Sequence, residues 1–584
     1  MSKQTINIGA SPNDGTGTPL RTSFDYTNQN FTELYTALGG GVGLPGATTQ
    51  VIFNDGGTNL AGDAGLVYNK TTDKLTVGTN IDIWRGLLND GTSTGVGATA
   101  LAATTAGATG NTALGYRAMY QATTASSNVA IGPSALSAAT MIGTGNVAAG
   151  FSAGAALASG DYNVFAGYAA GGRVNGAVRN IAIGVDALGG GGAINHTGAR
   201  NIAIGDTALY SATSITGADN TGIGQNTLRA LSSGRDNVAI GRSAGVAIST
   251  AFANVCIGQL AGSGITGGDY NVVMGTGTGA KLTTGTQNVA VGVDCLTGGV
   301  GRAHTGGYNV AIGQQAMYSA NDITGSSNIG IGNAVFGNLS SGADNVSLGR
   351  GSLNQLTSGG NNIALGVNAL YGATNGSNNT SIGNGSLQSC QVSDQTAFGA
   401  QALQNLQNGT NNTAVGRSAL RSIVSTSNCT ALGKSAAEVT TGAEVTAIGA
   451  NALSLSTSGN GNTAVGFNAM GTSIVTGAAN TCIGAGVGAG LLGGSSNVFI
   501  GFDCGYTTTT GTSNICIGRQ AITSTAIISN ELSIGSSAQY VATDGFPATY
   551  FPTATAGAVV LGLALGFIRI NLNGTFVKIP VYGN

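Results

Sequence analysis

A five-residue phrase of the form Asn-Val-Ala-Ile-Gly is written 25 times in this chain, from Asn111 to Gly535. First positions of the first and last copies lie 420 residues and 24 steps apart, a mean period of 17.5. A period so short cannot enclose a domain core, so each copy is one turn of a stacked structure. Gly fills the fifth position in all 25 copies, and Asn fills the first except at Gln395, Cys429, Val445 and Glu531. The second position is Val, Ile or Thr except at Leu532, the fourth is always apolar, and the third is usually small. Alternation of a β-branched, a small and an apolar residue predicts a short strand. Positions two and four then share one face and position three takes the other. The closing Gly suits a bend, and stacked Asn residues suit an amide ladder.

After each Gly comes a small-apolar pair such as Ala135-Leu136 or Ala208-Leu209, then a Thr/Ser/Gly-rich turn. Read as a second short strand, this predicts two strands and two turns per repeat. The expected fold class is all-β, a parallel β-roll or β-solenoid of about 25 rungs. At ~4.8 Å per rung the stack would be about 120 Å long. A degenerate rung is expected at Ser93-Thr94-Gly95-Val96-Gly97, 18 residues before Asn111. The small third-position residues suit close approach of a neighbouring chain, so an intertwined homotrimer is expected; the alternative is that they fit the interior of a narrow coil.

Composition narrows the function classes. Charged residues are 8% of the 584, and net charge is −2, so nothing suggests the clustered Lys and Arg of a nucleic-acid interface. Gly is abundant (101 residues) but Pro is not (7), and no three-residue period occurs, which excludes collagen. The N-terminus has no apolar leader core, so no signal peptide is expected. The one long apolar stretch, residues 556–570, is too short for a membrane span. Seven Cys are scattered without a CxxC, as buried small hydrophobes would be.

Candidate chemistry is sparse. Residues 180–224 and 288–332 are a duplication at an offset of 108, with the same long steps of 21 and then 19. The only two His, His196 and His304, occupy equivalent places in the bulged turns. Three copies of each could ring a metal ion; the plainer reading is an exposed turn residue copied with its segment. Asp186, Asp294 and Asp503 recur at one repeat position, and Arg242, Arg350, Arg417, Lys434 and Arg519 at another. These are polar faces rather than a cleft. No nucleophile, base and orienter converge, so no enzymatic activity and no cofactor are expected.

Both ends differ from the repeats. Leu20, Phe24, Phe31, Leu34 and Leu38 (with Thr27) are spaced as a heptad seam, predicting a short helix that aligns chains. The tail alternates at Phe567-Ile568-Arg569-Ile570 and carries an Asn573-Gly574 hairpin signal, predicting a small β tip. The expected divisions are 1–44, an attachment segment; 45–92, a β-hairpin connector around Gly65–Tyr68 and Leu75–Val77; 93–537, the repeat shaft; and 538–584, the tip.

The segment INIGASPNDGTGTPLRTSFDYTNQNFTELY closely resembles the N-terminal segment of many tailed-phage virion proteins. Residues 47–80 resemble another segment common in phage fibres, and the 25 phrases resemble the head repeats of trimeric autotransporter adhesins, which form trimeric left-handed β-rolls. Those resemblances imply a structural tail fibre in the virion, made in the host cytoplasm. Its N-terminus would bind tail or baseplate proteins and its C-terminal tip a host surface glycan or protein. A virion decoration without receptor (whisker, neck or baseplate component) and a glycan-degrading tailspike are the alternatives.

Overall fold

In the computed structural model the described residues are 48–54, 60–69, 74–77, 81–85, 92–102, 108–191, 194–536, 539–543, 564–572 and 575–582, with side chains described within 92–102, 108–191 and 194–535. The expected helix with its seam Leu20, Phe24, Phe31, Leu34 and Leu38 lies outside them. The chain divides into two compact units, Met1–Ile331 and Gly332–Asn584.

The first unit opens with four antiparallel strands, β1 (Thr48–Asn54), β2 (Leu60–Asn69), β3 (Lys74–Val77) and β4 (Ile81–Arg85). Then come 14 three-residue strands, β5 (Thr94–Val96) to β18 (Ile329–Ile331), paired parallel and in register. The degenerate rung is thus a true turn, with Thr94 opposite Thr112. Twelve more turns, β19 (Val346–Leu348) to β30 (Leu532–Ser536), build the second unit. The protein is therefore an all-β parallel β-solenoid of 26 turns, with no helix among the described residues. Antiparallel partners cover the outer edges: β4 on β5, and β31 (Gln539–Thr543) on β30. Such covers occupy the open backbone groups of a terminal strand. A separate two-stranded sheet pairs β32 (Ala564–Leu572) with β33 (Thr575–Tyr582) antiparallel, Leu572 opposite Thr575.

The predicted second strand is absent among the described residues. Where Ala135-Leu136 was expected to extend, Leu136 sits at φ 48°, and Ala135 N donates to Gly132 O within a tight turn. Each turn of the coil thus has one strand and left-handed corners. Corner residues include the residue before the phrase (Asp236, φ 58°), the second after its Gly (Asn226, φ 59°) and the fourth after it (Leu228, φ 49°). Asp and Asn tolerate this region; a left-handed Leu costs about 1–2 kcal/mol. Burying that Leu completely returns a similar or larger amount, about 1.5–3 kcal/mol, so the hydrophobic term wins.

Position three faces the inside of the coil, fully buried in Ala130, Ala239 and Ala414. Its small size is thus explained within one chain, and it gives no support to a neighbouring chain. Interior volume is conserved by exchange. Where position three is Phe165, the corner site usually held by Leu is Gly171, and a Cβ there would meet the Phe165 ring. Phe499 and Gly505 repeat the exchange.

The first-position Asn residues form a buried ladder. Asn254 N and Nδ2 both donate to Asn237 Oδ1, at 3.1 and 3.2 Å, and Nδ2 also donates to Gly268 O at 2.9 Å. Asn254 Oδ1 in turn accepts from Asn271 N and Nδ2 at 2.9 and 3.0 Å. Gln395 keeps an amide in line and accepts from Asn412 Nδ2 at 3.1 Å. Cys429 and Val445 interrupt the side-chain column. Glu531 ends it: its backbone N donates to Asn514 Oδ1 while its carboxylate accepts from Ser524 N and Oγ.

All seven Cys are buried in the coil without disulfides. Burial pushes the Cys256 thiol up to about 12 and Cys390 to about 11. Thiolate, the reactive form, is therefore scarce at these two, and all seven sulfurs are enclosed. A polar thiol reagent at pH 8 is expected to label none of the seven in the native chain and all seven in denaturant, read by intact mass.

Candidate functional site

The widened corners lie between β10 (Ile181–Ile183) and β11 (Ile202–Ile204), and between β16 (Val289–Val291) and β17 (Val310–Ile312), in the first unit. His196 and His304 are each only 1% exposed, which corrects the reading of an exposed turn residue. His196 Nδ1 accepts from Ile215 N at 3.0 Å, and His304 Nδ1 accepts from Ile323 N at 3.0 Å. An Nδ1 that accepts requires the proton on Nε2, and His196 Nε2 then donates to Gly189 O at 2.8 Å. The corresponding Thr297 carbonyl faces His304 Nε2, outside regular hydrogen-bond geometry. Backbone bonds complete the join: His196 N to Arg173 O at 2.9 Å, His304 N to Lys281 O at 2.8 Å. Each ring is a brace between successive corners. Its Nδ1 lone pair is already engaged, and no cluster of three or more His, Cys, Asp or Glu suited to a metal ion occurs among the described residues. The braces stand where the ladder is thinned. Across the 21-residue steps Asn201 and Asn309 keep only the backbone N bond to the preceding Oδ1, at 2.8 and 2.9 Å.

Desolvation lowers both His pKa values below 6.5, with Arg173 adding to the effect at His196 and Lys281 at His304, where Asp322 opposes it. The folded state therefore holds neutral rings while the unfolded state binds protons first. The stabilisation is present above pH 6.5 and is lost as pH falls below it, by at most about 1.4 kcal/mol per pH unit for each ring. Urea midpoints measured from pH 8 to 5 should fall on the acid side. The double variant His196→Gln/His304→Gln, which cannot charge, should flatten that fall.

The recurrent charges remain dispersed. Arg242, Arg350, Arg417, Lys434 and Arg519 are exposed, one residue after the Gly of their turns. Arg200 Nε meets Asp219 Oδ1 at 2.6 Å, and Arg421 meets Glu438 at 2.6 Å. The first of these pairs is largely in water and contributes little. Asp186, Asp294 and Asp503 occupy left-handed corners, at φ 51°, 52° and 49°. These corners are a backbone assignment that sequence spacing alone did not reveal. Aromatic rings decorate the same faces: Phe151 stacks on Tyr168 at 5.3 Å, and Arg519 lies over Phe502 at 5.7 Å.

Among the described residues no helix is long and apolar enough to cross a membrane. Comparison with protein-family models, with curated proteins and with solved structures finds no match. Fold and surface chemistry carry the functional argument.

Proposed function

We propose that the chain is a structural tail fibre of a bacteriophage: a trimeric shaft held to the tail or baseplate by residues 1–44, with residues 538–584 as a host-adhesion tip. The observation that carries the reading is the pairing of the N-terminal segment Ile6–Tyr35, which resembles phage virion segments, with a coil made almost entirely of interchangeable turns. A coil of that kind supplies length, and its sparse, dispersed charges suit a spacer more than a catalyst. Immunogold labelling of particles with antibodies to residues 1–44 and 538–584 tests the placement; labels at opposite ends of one appendage support it, and unlabelled tails sink it. Binding of the full chain to host cells separates a fibre from a virion decoration without receptor. Release of reducing ends from host polysaccharide would instead favour a tailspike, the reading least supported by the isolated carboxylates.

A further inference from the structure

The strands of the first unit turn small residues inward and a second, larger set outward. Positions two and four from β5 to β18 form two parallel columns on the outer sheet face. These columns contain no charged residue, and their only polar members are Thr94, Thr112 and Thr221. In turns β13 to β17 the pairs are Val238/Ile240, Val255/Ile257, Val272/Met274, Val289/Val291 and Val310/Ile312. Many are well exposed, for example Ile183 at 40% and Met274 at 38%. One residue past the Gly the bordering column is mixed, with polar Asp206, Gln225 and Arg242 and exposed apolar Phe151, Val185 and Val293.

The geometry points to this outer sheet face, and not the small third positions, as the surface on which copies of this chain meet. The inference rests on the reading of the chain as an assembled shaft and names the face that assembly uses. The area argues for a partner. A two-column stripe ~10 Å wide gains roughly 50 Å² per ~4.8 Å turn, hence on the order of 700 Å² over the unit. That exceeds the usual apolar patch of a monomer, about 300–600 Å², and approaches the ~800 Å² per partner of a stable interface. Periodicity argues for the occupant. A partner must be uncharged, apolar and repeat at the strand spacing along the whole stripe, and a second copy of the same coil meets all three conditions. In the second unit position two carries seven consecutive Thr, from Thr380 to Thr481, while position four stays apolar, so the longest stretch apolar in both columns lies in the first unit.

The test uses the full chain. Light scattering should give a multiple of the chain mass for the parent. Ile183→Lys/Ile223→Lys/Met274→Lys should give the single-chain mass with unchanged circular dichroism, because these side chains point away from the core. Ser233→Lys/Thr250→Lys, exposed in the turns between strands, should remain assembled. A bis-maleimide should join chains carrying Ile223→Cys and leave chains carrying Ser233→Cys, exposed in the turn between strands, separate on a denaturing gel; the native thiols are buried. This arm decides the matter if the triple variant fails to fold. A monomeric parent, a triple variant that stays assembled, or equal cross-linking at both sites overturns the inference. Failure of particle labelling would overturn the virion reading and leave an Ile223 cross-link standing.

Discussion

Gly258→Ala is expected to destabilise the coil by on the order of 3–5 kcal/mol, through strain and backbone overlap together. Gly258 sits at φ +128°, where a side chain is strained, and its added Cβ would lie 2.6 Å from Gly275 O and 2.7 Å from Gly275 C. Those atoms belong to the next turn's backbone. They cannot rotate aside, so the two turns must separate and lengthen the bond from Gly275 N to Ile257 O, now 2.7 Å. The comparison is Gly267→Ala in the following loop, where a Cβ meets nothing within 4 Å. That variant should stay within about 0.5 kcal/mol of the parent. Urea unfolding of both, followed by circular dichroism, checks the pair. Equal small losses would mean that the turns are not in close contact at the Gly column.

The second large effect is expected at the amide ladder. Asn254→Ala removes the acceptor for Asn271 N and Nδ2 and the donor to Gly268 O, all inside the coil. With roughly 1–3 kcal/mol for each buried group left unpaired, a loss of about 3–5 kcal/mol is expected. Asn254→Asp separates donor from acceptor. Its carboxylate can still accept from Asn271 but would face Asn237 Oδ1 and Gly268 O without a proton to give. Burial and those oxygens favour the protonated form, so its folded pKa is raised. Stability of this variant should therefore be greatest below about pH 4 and fall as pH rises through the folded pKa. Above that pKa it should resemble Asn254→Ala. A parent-like pH profile for the Asp variant would mean that the ladder amide does not donate.

Much of this architecture was legible because a 17-residue repeat leaves few solutions. Period-two alternation over Val238–Ile240 specified a strand, and the shared phrase specified in-register stacking. What failed was local. Ala135-Leu136 reads as apolar and small in any conformation, and a left-handed Leu is disfavoured until its burial in the coil is known. The face assignment was correct, but position three had two explanations; only the enclosed Ala column separates them. One interior signal was visible in the sequence and unread: Phe165 with Gly171, and Phe499 with Gly505, trade volume within single turns. His196 and His304 were found by duplication, yet their role as corner braces depends on backbone N–H groups 19 residues onward. No spacing argument about side chains reaches that.

The central claim is that turns are interchangeable units and that function lies where they are interrupted. The most direct test is excision of one whole turn, residues 254–270, from the full chain, with thermal unfolding as the readout. The cut would set Asn271 on Asn237 and Val272 on Val238, preserving the pairing on both sides. A cooperative transition within a few degrees of the parent is predicted, while removal of residues 254–262 alone, about half a turn, should abolish it. Loss of the transition on removing the whole turn, as complete as on removing the half, would contradict the account.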